Sequence, residues 1–384
     1  MCSDLVGLRI AEGIGGYPNS TPGLQHASTL HPTNTRAEPT ASKPNTSIVM
    51  SQSDAAKKVL LMGKSGSGKS SMRNMIFANM AAADTRKLGA TIDMETTPIK
   101  FLGHFALRLV DCGGQDSYMH NVLSMPARNR SSVFSQIGCL LYVFDVESPD
   151  FSTIDMIWFS RVISAILETL SESDNMEEFK LHILIHKMDL VPEEHRQMVF
   201  EAKAKEVRNK VGDYSRGKIS ADMIHIFSTS IWDETIYKAW STIVQMLIPE
   251  IGTLHAPLER FGRFTSACEV IVFETATSLV VARWTDDDAT EQIQAVDERR
   301  FERASAVVKA FKSASARIRS RFKSMEITHP MYTAVLESLT ETTAILVVAV
   351  DPKVVPAAIH LNINLSRPSF AKLPGLSPKA PGSR

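Results

Sequence analysis

Between residues 57 and 250, short apolar runs alternate with longer segments whose apolar residues recur every three or four positions. The apolar runs lie at 58–62, 105–110, 137–144, 181–185 and 223–227. The segments with helical spacing lie at 71–80, 154–170, 193–211 and 233–247. Buried strands joined by crossover helices produce this alternation, so the pattern predicts an α/β fold with a mostly parallel sheet.

The pattern changes after residue 252, where strands are predicted next to each other. These strands are predicted at 269–275, 278–283, 332–339 and 343–350, the first two as a hairpin. A long helix is predicted at 297–322, and a last short helix near Val354. The long helix has one apolar stripe, formed by Phe301, Ala304, Val308, Phe311, Ile318 and Phe322. This half is therefore predicted to be a separate α+β domain.

Both ends of the chain are rich in Pro, Ser and Gly and show little apolar periodicity. Such segments bury too little surface to offset their chain entropy. We therefore predict a disordered extension at 1–55, a first domain at 56–252, a second domain at 253–367 and a flexible tail at 368–384. The extension is interpreted either as a regulatory arm or as an addition upstream of a chain that starts at Met50.

Composition excludes several classes of function. Lysine plus arginine and aspartate plus glutamate each number 42 in the 384 residues, so no overall basic field indicates nucleic-acid binding. The four cysteines form no Cys-x-x-Cys pair, which argues against a disulfide framework or zinc site and fits a reducing compartment. The sequence shows no run of about 18 apolar residues and no secretory signal pattern, so we expect no membrane span.

The strongest functional signal is the segment 63–70, which matches G-x-x-x-x-G-K-[ST] at every fixed position. A predicted strand enters this segment and a predicted helix leaves it. Small residues let backbone N–H groups surround phosphates, and the helix N-terminus adds a favourable dipole. Lys69 is predicted to reach the outer phosphates, and the Ser70 hydroxyl is predicted to ligate Mg²⁺.

A second motif, Asp-x-x-Gly-Gln, follows the next predicted strand and contains Asp111, Gly114 and Gln115. In a nucleotide-hydrolysing site the aspartate holds Mg²⁺, either directly or through an intervening ligand. The glycine N–H can sense the γ-phosphate, and the glutamine orients the attacking water. Thr91, in the segment between the two motifs, is predicted to close over the γ-phosphate and Mg²⁺ as part of a switch that orders with GTP.

A third motif, His186-Lys187-Met188-Asp189, matches the guanine-reading pattern [NT]-K-x-D except at its first position. The Asp189 carboxylate can accept the ring N–H and the amine of guanine, a paired donor edge that adenine lacks. The Lys187 stem can lie over the purine and ribose. After the next predicted strand, Thr229 and Ser230 are expected to offer backbone N–H groups to the guanine oxygen.

These motifs define the predicted site. The predicted catalytic residue is Gln115, and the predicted metal ligands are Ser70, Thr91 and Asp111. The predicted nucleotide-binding residues are Gly63, Ser65, Gly66, Ser67, Gly68, Lys69, Ser70, Ser71, Thr91, Gly114, His186, Lys187, Asp189, Thr229, Ser230 and Ile231.

The chain closely resembles the Rag GTPase family. The resemblance is carried by residues 57–80, 84–93, 111–116, 142–148 and 231–240 and extends over about 56–367. Residues 186–190 resemble the RagA/RagB branch in particular, whereas residues 124–135 fit the family pattern less well. The resemblance implies a Ras-like P-loop GTPase domain followed by a roadblock (longin-like) domain, with GTP or GDP and Mg²⁺ as cofactors.

The resemblance also implies a cellular role. It implies a heterodimer with a RagC/D-type GTPase, formed through the C-terminal domains and placed by a membrane-anchored scaffold complex. The expected location is the cytoplasmic face of the vacuolar or lysosomal membrane, where the contact with the membrane is indirect. The cytoplasm and the nucleus are further expected locations. There the GTP-loaded form would activate the TOR kinase complex when amino acids are abundant, under control of GTPase-activating and exchange proteins.

Ser65 leads to a kinetic prediction. It stands at a loop position where many small GTPases have glycine, and its side chain would crowd an incoming arginine finger. Hydrolysis is therefore predicted to be slow without an activating protein. Two alternatives stay open: a P-loop ATPase or nucleotide kinase, and a scaffold subunit that holds nucleotide without cycling.

Overall fold

A computed structural model describes residues 8–9, 57–102, 105–126, 129, 133–171, 179–286, 308, 324–330, 332–373 and 376. The strands are β1 (Leu8–Arg9), β2 (Lys57–Met62), β3 (Glu95–Phe101), β4 (Phe105–Asp111), β5 (Ile137–Asp145), β6 (Lys180–His186), β7 (Ile224–Thr229), β8 (Glu269–Glu274), β9 (Val280–Thr285), β10 (Ser324–His329), β11 (Tyr332–Ser338) and β12 (Thr343–Ala349). The α-helices are α1 (Lys69–Phe77), α2 (Asp116–Ser124), α3 (Met156–Ser171), α4 (Glu193–Ser215), α5 (Thr235–Leu247), α6 (His255–Phe264) and α7 (Pro356–Phe370).

The first half contains a sheet in the order β3-β4-β2-β5-β6-β7. β3 is antiparallel to β4, and the other neighbours are parallel, which confirms the predicted mostly parallel α/β fold. The register places Asp111 opposite Leu61, Asp145 opposite His186, and His186 opposite Thr229. The polar residues that end these strands therefore lie along one edge of the sheet, where ligands bind in open α/β folds.

Both faces of this sheet are covered. Val59 and Leu61 of β2 belong to one buried cluster, and Leu60 and Met62 belong to the cluster on the opposite face, as strand alternation requires. A strand that is apolar on both faces produces the short continuous apolar run seen in the sequence.

The second half is organised around an antiparallel sheet in the order β1-β10-β11-β12-β8-β9. The predicted hairpin is confirmed as the antiparallel pair β8 and β9. The predicted helix at 297–322 lies outside the described residues except for Val308, which is helical and buried. The predicted disordered extension lies outside them as well, except for the two-residue strand β1, which pairs with β10.

The two halves share one buried cluster. It contains Val59 and Trp240 from the first half and Val270 and Ile345 from the second. At the contact, the backbone N–H of Val280 donates to Ser241 Oγ over 2.9 Å. The predicted domain boundary at residues 252 and 253 lies within the 3₁₀-helix Pro249–Leu254, so the exact boundary stays a prediction.

The predicted flexible tail at 368–384 begins inside helix α7. Helix α7 includes Pro368 and runs to Phe370, whose side chain is buried, and Leu376 is buried as well. The apolar contacts of these two side chains hold this part of the chain against the shared cluster.

None of the helices in the described part of the chain combines the length and apolar character that a membrane span requires.

Candidate nucleotide-binding site

The segment 63–70 forms a tight loop between β2 and α1. Its three glycines all have positive φ, which residues with a Cβ rarely adopt: 142° for Gly63, 80° for Gly66 and 96° for Gly68. A Cβ on Gly63 would lie 2.2 Å from the carbonyl oxygen of Val143. All three glycines therefore suit the backbone conformation of the loop, and Gly63 also allows the close approach to β5.

Lys69 is folded into this loop. Its side chain is 5% exposed, and its Nζ donates to the carbonyl oxygens of Gly63 at 2.7 Å and Lys64 at 2.9 Å. Burial lowers the pKa of Lys69 to about 8, although the nearby Asp111 carboxylate acts in the opposite direction. A buried lysine held in the loop by two backbone carbonyl oxygens suits an anionic ligand.

The three predicted metal ligands meet at the start of α1. Ser70 Oγ donates to Asp111 Oδ2 over 2.8 Å and lies 2.7 Å from Thr91 Oγ1. Asp111 is fully buried, which raises the pKa of its carboxyl group, and its Oδ1 atom has no hydrogen-bond partner among the described residues. Two hydroxyls and an unsatisfied carboxylate oxygen form the oxygen-rich donor set that Mg²⁺ prefers. The residues present therefore fit a magnesium ion.

Gly114 lies directly against the phosphate loop. The backbone N–H of Ser65 donates to the Gly114 carbonyl over 2.7 Å, and a Cβ on Gly114 would lie 2.4 Å from that nitrogen. Gln115 follows as the residue that precedes α2, and its side chain is half-buried. The Asp-x-x-Gly-Gln motif is thus held next to the loop by backbone contacts.

A cavity of about 230 Å³ lies at this point. It is lined by Ser65, Gly66, Gly68, Lys69, Ser70, Ser71, Leu88, Gly89, Ala90, Thr91 and Gly114. Eight predicted nucleotide-binding or metal-ligating residues thus share one cavity. Gln115 and the predicted base-reading residues lie outside its lining.

His186 connects the base-reading motif to the loop. A Cβ on Gly68 would lie 2.6 Å from His186 Cδ2, so the imidazole lies against the loop glycine. The ring is 1% exposed, its Nδ1 lies 2.9 Å from Thr229 Oγ1, and burial lowers its pKa to about 4. A neutral histidine therefore occupies the first position of the motif and joins β6, β7 and the phosphate loop.

Asp189 is oriented by Ser230, whose Oγ donates to Asp189 Oδ1 over 2.5 Å. The Ser230 backbone N–H donates to Thr235 Oγ1 over 2.9 Å, and its contact with the guanine oxygen stays a prediction. Thr229 is fully buried, and its hydroxyl forms a hydrogen bond with His186. The Ile231 side chain is partly buried and packs against the core. Ser230 therefore contacts the predicted base-reading residue through its hydroxyl.

Sequence reasoning missed two charged partners. Asp145, at the end of β5, accepts a hydrogen bond from Lys187 Nζ over 2.6 Å, and its place after an apolar strand was the available signal. Arg73 lies 3.6 Å from Asp111 Oδ2 and 2.7 Å from Glu95 Oε2. Its spacing of three residues from Ser70 on α1 puts both on one helix face.

The lowered pKa of Lys69 predicts a pH dependence for phosphate binding. Phosphates beside Lys69 would stabilise its charged form, so binding above pH 8 must be accompanied by proton uptake. The affinity for GDP is therefore expected to fall by about twofold or less from pH 7 to pH 8 and about fivefold from pH 8 to pH 9. Titration calorimetry with GDP would measure this. A flat profile, or the same fall in Lys69→Arg, would contradict it.

The chain is similar in sequence to known G proteins. The Gtr1/RagA G protein conserved region matches residues 58–308. GTP-binding protein gtr1 of Schizosaccharomyces pombe is 41% identical over 311 residues, which cover 81% of this chain and 94% of that protein. Ras-related GTP-binding protein B of Rattus norvegicus is 38% identical over 369 residues, covering 88% and 92%.

A more distant relative is Ras-related GTP-binding protein C of Mus musculus. It is 23% identical over 226 residues, which cover 59% of this chain and 52% of that protein. The conserved region spans more than half of the chain, and the first two relatives align with most of it. The chain therefore belongs to the Gtr1/RagA family of G proteins.

Proposed function

We propose that this chain is a switch controlled by guanine nucleotides, which binds GTP or GDP with Mg²⁺ and slowly hydrolyses GTP. The observation that carries the proposal is the convergence of Ser70, Thr91 and Asp111 beside the buried Lys69. These residues would hold the metal and the outer phosphates. Mg²⁺, when bound, would neutralise phosphate charge.

Base selection is assigned to the other end of the site. Asp189 would accept two hydrogen bonds from guanine, and its contact with Ser230 supports this role by fixing the carboxylate. Lys187 is held by Asp145 near the same strand ends. Adenine would leave the carboxylate without its two donors, which favours guanine over adenine.

The proposal that GTP hydrolysis is slow depends on the positions of Ser65 and Gln115. Ser65 is exposed on the phosphate loop, and its side chain would crowd an arginine that approached the loop at this position. Gln115, placed next to the loop by the Gly114 contact, would orient the attacking water. An external activating protein is then needed for a rate gain of about 10³–10⁵.

A decisive experiment combines nucleotide competition with single-turnover hydrolysis on the purified full chain. GTP and GDP are expected to displace a fluorescent GDP at concentrations at which ATP does not, and bound GTP is expected to be hydrolysed slowly. Equal displacement by ATP would favour the ATPase or nucleotide-kinase alternative. Selective binding of GTP without any turnover would favour the non-cycling scaffold subunit.

The cellular part of the proposal is a heterodimer with a RagC/D-type GTPase through the C-terminal domains. The family membership supports it, since the relatives include Ras-related GTP-binding protein C. A membrane-anchored scaffold complex would place the pair on the cytoplasmic face of the vacuole or lysosome, where exchange and activating proteins act on it. The GTP form would there relay amino-acid sufficiency to the TOR kinase complex.

Affinity purification of the tagged full chain from its own cells tests the heterodimer. A RagC/D-type chain is expected in about equal amount, because an obligate partner buries a large shared surface. Recovery of a second copy of the same chain in place of that partner would contradict this assignment. An untagged strain is the control for adventitious capture.

A further inference from the structure

Arg86 and Trp232 form a contact across the surface of the first domain. The guanidinium carbon of Arg86 lies 4.9 Å from the centre of the Trp232 ring, within the distance at which a cation is attracted to an aromatic face. The Trp232 side chain is 48% exposed. The two residues are far apart in sequence, so their contact joins two distant segments of the chain.

Arg86 belongs to the phosphate side of the site. It lies in the 3₁₀-helix Ala82–Lys87, which leads directly into the cavity-lining residues 88–91. At the end of this short helix, the Leu88 backbone N–H donates to the Thr85 carbonyl over 3.1 Å. Five residues after Arg86, the hydroxyl of Thr91 contacts Ser70 at 2.7 Å. A movement of Arg86 would therefore take place close to Thr91, a proposed metal ligand.

Trp232 belongs to the base side of the site. Its backbone N–H donates to Ser230 Oγ over 3.0 Å, and that same oxygen donates to Asp189 Oδ1 over 2.5 Å. Ile231, which lies between Ser230 and Trp232 in the sequence, packs against the core and anchors the loop. The position of Trp232 is therefore coupled to the carboxylate that is proposed to read guanine.

We propose that Arg86 and Trp232 form a clasp that controls entry and release of the guanine nucleotide. This inference rests on the proposed function. A nucleotide that occupies the phosphate cavity and reaches Asp189 would lie between the two segments, so it leaves only after the contact opens. Because neither side chain lines the phosphate cavity, the clasp acts as a kinetic barrier in both directions and contributes little to affinity.

The test is stopped-flow binding and release of a fluorescent GDP by the full chain in excess Mg²⁺. Arg86→Ala and Trp232→Ala are each expected to raise both the association and dissociation rates about two- to fivefold, the range that an exposed cation–π contact provides. The dissociation constant is expected to stay within about twofold. The double variant should be no faster than the faster single variant, because both substitutions remove the same contact.

Two matched controls accompany these variants. Lys87→Ala removes the neighbouring exposed cation, which pairs with Asp84 at 3.0 Å, and should leave both rates unchanged. Trp232→Phe keeps an aromatic face and should stay closer to wild type than Trp232→Ala.

Unchanged rates in single variants that still bind the fluorescent GDP would overturn the clasp. Additive acceleration in the double variant would also overturn it, because two independent effects are not one contact. Failure of the wild-type chain to bind guanine nucleotide would refute the proposed function itself, and the clasp with it.

Discussion

Asp189→Asn is expected to lower the affinity for GTP by about 10²–10⁴-fold. Guanine offers two donors on one edge, and a carboxylate accepts both, whereas an amide accepts one and opposes the other with its own N–H. Each hydrogen bond to a charged group contributes about 1.5–3 kcal/mol, which gives this range when two are affected. Competition between GTP, ATP and xanthosine triphosphate for the purified chain would measure the change.

The same variant should gain affinity for xanthosine triphosphate, because xanthine carries a carbonyl where guanine carries its amine. Ser230→Ala keeps the carboxylate and removes the hydroxyl that orients it, so a loss of about tenfold or less is expected. Asp213→Asn, at an exposed position on α4, is the control and should change nothing. Unchanged GTP affinity in Asp189→Asn would refute the assignment of base recognition to this residue.

The central strands could be predicted from sequence because they are buried on both faces. β5 and β6 are apolar almost throughout, and a run of this kind between polar segments favours a buried strand. The predicted ends agree with the structure to within about two residues for β2, β4, β5 and β6. The polar residues after these runs then follow the rule that parallel strands end at one edge.

The elements that sequence reasoning missed lie at the margins of the sheets. β3 is an edge strand that contains Pro98, and its clearly buried side chains are Ile99 and Phe101. β10 buries Met325 and leaves its other side chains at least partly exposed. Strands of this kind have too few apolar positions for a periodic signal. The short helices α2 and α6 were missed for a related reason, because each buries only one narrow face.

At the site, the motifs predicted which residues meet, but not how each one is used. The triplet of Ser70, Thr91 and Asp111 is brought together as the predicted metal set. The use of the Ser230 N–H could not be foreseen, because it depends on Thr235 at the start of the next helix. The contact of His186 with Gly68 likewise depends on how β6 approaches the loop, which the spacing of the motifs does not specify.

Gln115→Leu is expected to slow single-turnover hydrolysis of GTP about 10- to 100-fold while nucleotide binding stays unchanged. The glutamine side chain would orient the attacking water, and one hydrogen bond that strengthens as charge develops contributes about 1.5–3 kcal/mol to the barrier. Leucine has a similar size, so the half-buried position before α2 remains filled. The Ser65 contact to the Gly114 carbonyl involves backbone atoms and should persist.

The two readouts separate the role of Gln115 from a general loss of structure. Release of phosphate from GTP would be followed over hours, and binding of a fluorescent GDP would be measured on the same preparation. Gln197→Leu replaces a glutamine on α4 that bonds to Glu201 and should leave both readouts at their wild-type values. Hydrolysis by Gln115→Leu at the wild-type rate would show that water is oriented by another group. A parallel loss of GDP binding would instead assign Gln115 to the architecture of the loop, because a residue that acts on the water alone leaves ground-state binding intact.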